Sequence, residues 1–352
     1  MSKDLDFLRR EINKLDEELL KIISNRLKIS KEIGKFKYEN KIPITDLERE
    51  LELKSRWFQI GKNLGIPETL IDRIFDLILS FSKMFQISPS IRRKVTIIGY
   101  GGMARSLVSL LSLAGHNVIV TGRNISKAMR LIDEFKCVVA NVDEAIKLAE
   151  YIIITTSPEI IKDEIINKIF KLSKDKVVMD IFSSKNLIFE YLESKSEEYG
   201  FYYISTHPLF GPITYPVGEN IVIIPSKTSK DRFEEVVEFW RGSGLVPIIS
   251  TKDEHERGMA IVQVLTHYYL LGLLNSIRSL SREFNIDYKK FQTYNFREIL
   301  KILERIESIL PVVIEIQRMN SYAYKVREIG LSELKKLAEG LGGKSDPHIK
   351  RG

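Results

Sequence analysis

Val95-Thr96-Ile97-Ile98-Gly99-Tyr100-Gly101-Gly102-Met103-Ala104 decides how the centre of this chain folds. A short apolar run passes straight into a glycine-rich turn, and a helix-length segment follows through Leu113. The first two glycines permit a tight turn and let backbone approach a pyrophosphate. The helix then offers N–H groups and the positive end of its dipole to the anion. Ala104 stands at the third glycine position, an accepted variant. Alone, the pattern is an ordinary glycine turn. With a strand before it and a helix after, it marks a dinucleotide site built from Gly99, Gly101, Gly102, Met103 and Ala104. The next strand ends at Val120-Thr121-Gly122-Arg123-Asn124, without the Asp or Glu that holds a ribose 2′-hydroxyl in NAD-preferring sites. Arg123 is placed to meet a 2′-phosphate, supported by Ser126 or Lys127, which favours NADP over NAD. The alternative is a solvated Arg123 and use of both cofactors. Thr156 is a further cofactor-side candidate.

Downstream, the alternation continues. Val118-Ile119-Val120, Tyr151-Ile152-Ile153-Ile154, Val177-Val178-Met179 and Tyr202-Tyr203-Ile204 are short apolar runs, most of them separated by helix-length segments. This predicts a parallel α/β sheet of the Rossmann type over 92–250. From about Asp253 the chain reads as helical. An all-α substrate-binding and dimerisation domain is expected over 251–342, then a disordered tail over 343–352. Upstream, Ile87-Ser88-Pro89-Ser90 reads as a linker after an all-α three-helix domain over 1–87. Leu5, Leu8, Ile12, Leu15, Leu19, Ile22, Ile23, Leu27 and Ile33 recur at helical spacing and predict one amphipathic helix over 5–37. Ile42-Pro43-Ile44-Thr45-Asp46 breaks it. Thr45 or Asp46 caps a second helix to about Leu64, and a third follows Gly65-Ile66-Pro67 to about Phe85. So long a first helix needs a partner, and a dimer of helical arms is expected.

The 352 residues are 44% hydrophobic and 29% charged, the balance of a soluble multi-domain protein. The net charge of +7 is spread among acids without a dense basic run, which suits anionic small substrates better than nucleic acid. The longest apolar stretch, Ala260 to Ile277, carries Gln263, Thr266, His267 and Asn275; it is expected to be a buried core helix, not a membrane span. Met1-Ser2-Lys3-Asp4-Leu5-Asp6 shows no apolar signal core, and Cys137 is the single cysteine. Both point to a cytoplasmic, reducing setting.

Ser205-Thr206-His207-Pro208-Leu209-Phe210-Gly211-Pro212 follows a strand. In an open α/β sheet, chemistry sits beyond the carboxyl ends of strands. A histidine held there between prolines and glycines is a general-base candidate, because its pKa lies near working pH. The other reading is a loop histidine without a role. Asp180-Ile181-Phe182-Ser183-Ser184-Lys185-Asn186 closes another strand and offers Ser183 and Lys185 at the same edge. His267 lies inside an apolar helix, where a satisfied core histidine is the commoner case. Arg297 and Arg305 stand about 12 Å apart at ~1.5 Å per helical residue, so one of them touches a small substrate.

These segments, with Met259-Ala260-Ile261-Val262-Gln263 before His267, stand in the order and spacing of prephenate dehydrogenases, and residues 93–325 resemble that family. The resemblance implies that His207 bonds the ring hydroxyl of prephenate and takes its proton as hydride leaves the same carbon. Ser183 would orient His207, and Lys185 would stand near cofactor and substrate. His267 and Arg305 would hold carboxylates, with Arg297 mainly structural. Loss of carbon dioxide aromatises the ring, so the chemistry needs neither a metal nor a covalent nucleophile.

The N-terminal helices carry Arg9, Arg26, Lys37, Asp46, Arg49, Glu50, Ser82 and Gln86, which an amphipathic pattern does not require. Each alone reads as a solvated surface residue. Asp46, Arg49 and Glu50 share one helical face, as do Ser82 and Gln86. Together with Leu8-Arg9-Arg10-Glu11-Ile12, Leu15-Asp16-Glu17-Glu18-Leu19-Leu20 and Asp46-Leu47-Glu48-Arg49-Glu50, they make residues 5–87 resemble the all-helical chorismate mutases. The resemblance implies that Arg26, with Arg9 of a second chain, clamps the carboxylates of chorismate. Lys37 and Gln86 would donate to its ether oxygen, Glu50 and Asp46 would face the ring hydroxyl, and Arg49 and Ser82 would complete the lining. Arg9 and Arg26 lie about 25 Å apart along one helix at ~1.5 Å per residue. Both cannot reach one small molecule from the same chain, so a mutase that uses both works as a homodimer. The two resemblances together imply a bifunctional enzyme of tyrosine biosynthesis. The alternative is an arogenate dehydrogenase with a helical regulatory or dimerisation arm; His267 suits an extra carboxylate and favours prephenate.

Overall fold

The computed structural model describes residues 4–87 and 91–341. Residues 88–90 of the expected linker and the expected tail over 343–352 lie outside the described residues. The chain packs as two compact units. In one, Leu192–Ile249 joins the residues up to Phe182; in the other, Ser183–Tyr191 joins the residues from Ser250 onward. The N-terminal helices thus share a unit with the sheet, and the segment after Phe182 goes with the C-terminal helices.

Helices α1 (Leu5–Glu39), α2 (Leu47–Asn63) and α3 (Glu68–Phe85) form where the periodicity places them. Asp46 is the cap of α2. Its carboxylate accepts the Arg49 N–H at 3.0 Å, and Glu50 reaches back to the Asp46 N–H at 3.4 Å. Phe75 of α3 meets Trp57 of α2 edge-on at 5.5 Å between centroids. Within one chain, α1 buries two small residues, Ser30 and Gly34, and not its apolar stripe. Leu5, Ile12, Leu15, Leu19 and Ile22 are all more than half exposed, because α3 covers only the small-residue face.

The first unit is built on eight strands: β1 (Lys94–Ile98), β2 (Asn117–Thr121), β3 (Val138–Val139), β4 (Tyr151–Ile154), β5 (Val177–Asp180), β6 (Tyr202–Pro208), β7 (Asn220–Pro225) and β8 (Val246–Ile249). Their order is β3-β2-β1-β4-β5-β6-β7-β8. β1 pairs in parallel with both β2 and β4, which puts the topological switch point at its carboxyl end. The expectation of a wholly parallel sheet needs correction. β6 and β7 run antiparallel, from Ile204 opposite Pro225 to Pro208 opposite Ile221. The connection between them, residues 209–219, contains no helix and is too short for a parallel crossover. Inward residues of β1, β2 and β4 pack on Leu107, Leu110 and Leu111 of α4 (Gly102–Leu113) and on Trp240.

In the second unit, a helical run from Lys252 to Glu283 precedes helices Tyr294–Ser308, Leu310–Met319 and Ala323–Gly340. The run contains a π-helical segment, Ala260–Leu265, which widens the turn just before His267. By length and composition the run passes as a membrane span. The expectation of a buried core helix needs correction: only 17% of its most apolar window is buried inside the chain. Val264 packs with Ile316 and Ala323, whereas Ile261 and Val262 are left to solvent.

Candidate active sites

The glycine turn lines a cavity of about 410 Å³ at the switch point, together with Tyr100, Gly122, Arg123, Thr155, Thr156, Ser157, Glu159 and Asp163. Gly99 has φ +129°, and a Cβ there would lie 2.4 Å from the Thr155 hydroxyl oxygen. A Cβ on Gly101 would meet nothing within 4 Å, so its backbone is open to an approaching group. Gly101 caps α4 without a side-chain acceptor, which leaves the first-turn N–H groups to a ligand. The Thr156 hydroxyl is buried and has no partner among the described residues. These features fit a pyrophosphate. Gly102 and Ala104 also have a packing role. A Cβ on Gly102 would strike the Pro212 ring at 2.7 Å, and Ala104 is fully buried against the sheet, so both serve packing. Met103 is half-buried beside them. Arg123 is exposed and pairs with Asp163 at 3.3 Å. Asp163 and Glu159 were missed in the sequence because their place at this cleft depends on the strand order, whereas Tyr100 stands within the glycine turn itself.

His207 lies in β6 itself, opposite Val222, and is 3% exposed. The sequence expectation placed it in a loop after a shorter strand. The β6–β7 ladder extends the strand through Pro208. Asp180, at the carboxyl end of β5 and fully buried, ties this edge together. Its carboxylate accepts the Tyr203 hydroxyl at 2.7 Å and the Phe182 N–H at 3.0 Å, and its carbonyl accepts the Thr206 hydroxyl at 2.6 Å. Burial, and then the Asp180 charge, push the Tyr203 phenol well above its usual range.

In the second unit, Ser183 is half-buried and Lys185 fully buried. Glu256, 2% exposed, organises this turn. It accepts the Lys185 N–H at 2.6 Å, the Ser184 hydroxyl at 3.2 Å and the Ser321 N–H at 3.1 Å. Its neighbour His255 is pushed down to about 3 by burial and then by the Lys185 charge. The His267 Nδ1 and Gln263 Oε1 atoms are buried without partners among the described residues, one helical turn apart. Burial lowers the His267 pKa, so the ring is neutral at pH 7. His267 is therefore not a satisfied core histidine. Arg297 and Arg305 are both exposed on helix Tyr294–Ser308.

The three N-terminal helices bring most of the expected mutase residues together. The Arg26 guanidinium donates to the Ser82 hydroxyl, and Ser82 donates onward to the Ile78 carbonyl at 2.7 Å. Burial lowers the Arg26 pKa. The Lys37 ammonium donates to the Ile44 carbonyl at 2.7 Å. Its pKa is lowered chiefly by burial, against the opposing pull of Asp46 and Glu50. The Gln86 Oε1 atom is buried and without a partner among the described residues. Gly34 makes this convergence possible, because a Cβ there would lie 2.3 Å from the Gln86 carbonyl oxygen. Two residues stand apart: Arg49 pairs with Glu52 on the surface, and Arg9 pairs with Asp6 in solvent.

A helical cluster of half-buried cations with one amide, beside a nucleotide-binding sheet, defines a mutase-like module joined to a nicotinamide-type oxidoreductase. Comparison with known proteins gives the same division. Residues 8–87 match the chorismate mutase type II family model, and residues 94–184 match the model described as NADP oxidoreductase coenzyme F420-dependent. The chain is 29% identical over 255 residues to a probable arogenate/prephenate dehydrogenase of Methanocaldococcus jannaschii, covering 70% of this chain and 56% of that protein. It thus spans little more than half the length of that relative. It is 25% identical over 279 residues to a T-protein of Enterobacter agglomerans, covering 76% of this chain and 69% of that one. A crystal structure of prephenate dehydrogenase from A. aeolicus with hydroxyphenyl propionate and NAD+ superposes with a TM-score of 0.55 at 18% identity, over 73% of this chain and 94% of that one. Residues 8–87 thus match the chorismate mutase type II model, the remainder shares the fold of a prephenate dehydrogenase, and the chain is similar to T-proteins over about three quarters of its length.

Proposed function

We propose that this protein is a bifunctional enzyme that rearranges chorismate to prephenate and oxidatively decarboxylates prephenate to 4-hydroxyphenylpyruvate. The observation that carries the proposal is the pairing of Arg26 with Ser82, with Lys37 close to Asp46 and Glu50 and Gln86 pressed on Gly34, in a chain that also holds a dinucleotide cleft. The rearrangement is a one-step pericyclic reaction, so its catalysis is positioning and electrostatics. Arg26, held by Ser82, grips a carboxylate. Lys37 and Gln86 donate to the ether oxygen as its bond breaks. The exposed Arg9 and the uncovered stripe of α1 support a homodimer in which Arg9 serves the second chain's site.

For the dehydrogenase, a bound nicotinamide supplies the hydride acceptor. His207 takes the ring hydroxyl proton, help worth ~10²–10⁴-fold in rate. By the resemblance to prephenate dehydrogenases, Lys185, on the same Glu256-held turn as Ser183, serves cofactor and substrate, His267 and Arg305 hold carboxylates, and Arg297 is structural. Arg123 favours NADP by reaching its 2′-phosphate in place of Asp163. The setting is cytoplasmic. Purified protein given chorismate and NADP or NAD should reduce the nicotinamide, which requires both activities in sequence. Reduction from added prephenate alone would remove the mutase assignment. The Methanocaldococcus jannaschii relative's name covers arogenate as well as prephenate, so both are assayed at equal concentration. His207→Asn should abolish nicotinamide reduction and spare the mutase.

A further inference from the structure

Glu50 has a partner that the mutase resemblance does not include. The Lys83 ammonium lies 2.8 Å from Glu50 Oε1 and 3.0 Å from Oε2. Both side chains are less than one-fifth exposed, unlike the solvated pairs elsewhere on these helices. Solvated pairs contribute little, whereas a desolvated bidentate contact fixes a geometry. Lys83 follows Ser82, which holds Arg26, and precedes Gln86 by one turn. Its stem runs beside the nucleotide-binding half of the same unit. Gly218, at φ +83° in the loop over 209–219, faces it; a Cβ there would lie 3.4 Å from Lys83 Cδ and 2.2 Å from the Thr45 hydroxyl oxygen. Thr45 donates to the Gly218 carbonyl at 2.8 Å, and the Gly218 N–H donates to the Gly244 carbonyl at 2.7 Å. Thr45 directly follows Ile44, whose carbonyl receives the Lys37 ammonium. One glycine therefore bonds the segment that holds Lys37 and leaves room, by lacking a side chain, beside the one that holds Glu50.

The geometry points to Lys83 as a positioning residue of the mutase site, gripping Glu50 while Gly218 of the 209–219 loop sets the grip. The inference rests on the mutase reading. Lys37 faces Asp46, Glu50 and Lys83. With Glu50 engaged by Lys83, Lys37 keeps its donors for substrate instead of collapsing onto the carboxylate. The test uses the full-length protein, with mutase kinetics on chorismate and dehydrogenase kinetics on prephenate. Lys83→Met should lower mutase kcat roughly 10–100-fold with little change in KM, the scale of a misplaced catalytic group. It should also move the alkaline limb of the mutase pH profile slightly upward: burial, the main cause of the lowered Lys37 pKa, stays, but the smaller repulsion from Lys83 is gone. Lys83→Arg should restore most of the rate, and the dehydrogenase should be unchanged in both. Gly218→Ala should reproduce the mutase loss from the other side. Wild-type kcat in Lys83→Met, or a loss confined to KM, would overturn the inference. A wild-type protein without mutase turnover would instead defeat the functional assignment beneath it.

Discussion

Gly34→Ala pits helix propensity against packing. Propensity alone favours alanine in a helix interior by about 1 kcal/mol. The structure opposes it: the new Cβ would stand 2.3 Å from the Gln86 carbonyl oxygen, 2.4 Å from its Cα and 2.7 Å from its carbonyl carbon. All three are backbone atoms, so no side-chain rotation relieves the overlap. Helices α1 and α3 must part by about 1 Å to regain ordinary van der Waals separation. Overpacking of this kind costs about 1–3 kcal/mol, so the propensity gain is cancelled or exceeded and the melting temperature should fall by a few degrees at most. The larger effect is on rate. Gln86 and Lys37 sit on opposite sides of this contact, and a 1 Å misplacement of a catalytic group costs about 10²-fold. Mutase kcat/KM should therefore drop on the order of 100-fold, followed as loss of chorismate, while prephenate-dependent nicotinamide reduction in the same preparation stays within about 2-fold. A folded Gly34→Ala protein with wild-type mutase kcat/KM would refute the idea that the α1–α3 approach at Gln86 builds the site.

Arg123→Ala should raise KM for NADP about 10–100-fold, the loss of one charge-assisted contact, while leaving KM for NAD nearly unchanged; equal changes for both cofactors would make Arg123 a bystander. Glu256→Ala removes the acceptor for the Lys185 and Ser321 N–H groups, and stranding buried donors costs about 1–3 kcal/mol each. Its melting temperature should fall and its dehydrogenase activity should be lost, with Glu256→Gln milder and a neutral Glu256→Ala refuting the role. His116 is pushed down to about 4 by burial and then by Arg93 and Arg92, and its Nδ1 accepts the Arg93 N–H at 3.1 Å. The unfolded chain takes up a proton near pH 6.5 and the native ring does not until about pH 4, so this stability is full above 6.5 and is lost progressively down to 4. Melting temperature measured between pH 7 and 4.5 should fall less steeply in His116→Asn than in the wild type; equal slopes would exclude His116 as a source.

What could be read in the sequence follows from how far apart the partners lie. The glycine turn after Ile98 and the Asp46 cap are settled by residues within one turn of each other, and both formed as expected. Ile221-Val222-Ile223-Ile224 is an apolar run that the sequence reading did not single out, and nothing local reveals that β7 runs antiparallel to β6; only the length of the 209–219 connection does. Asp180 and Glu256 looked like unremarkable acids because their donors come from other elements, in the case of Glu256 more than sixty residues away. The same holds for Lys83 and Gly218, which are separated by most of the nucleotide-binding half. The mutase residues were legible as a set because a known pattern joined positions that spacing alone does not. That pattern carried no word of Gly218, which belongs to the other half of the fusion. The Thr45–Gly218 bond beside Lys83 therefore belongs to this combination of domains. Substitutions there should separate the two activities more cleanly than substitutions in either shared motif.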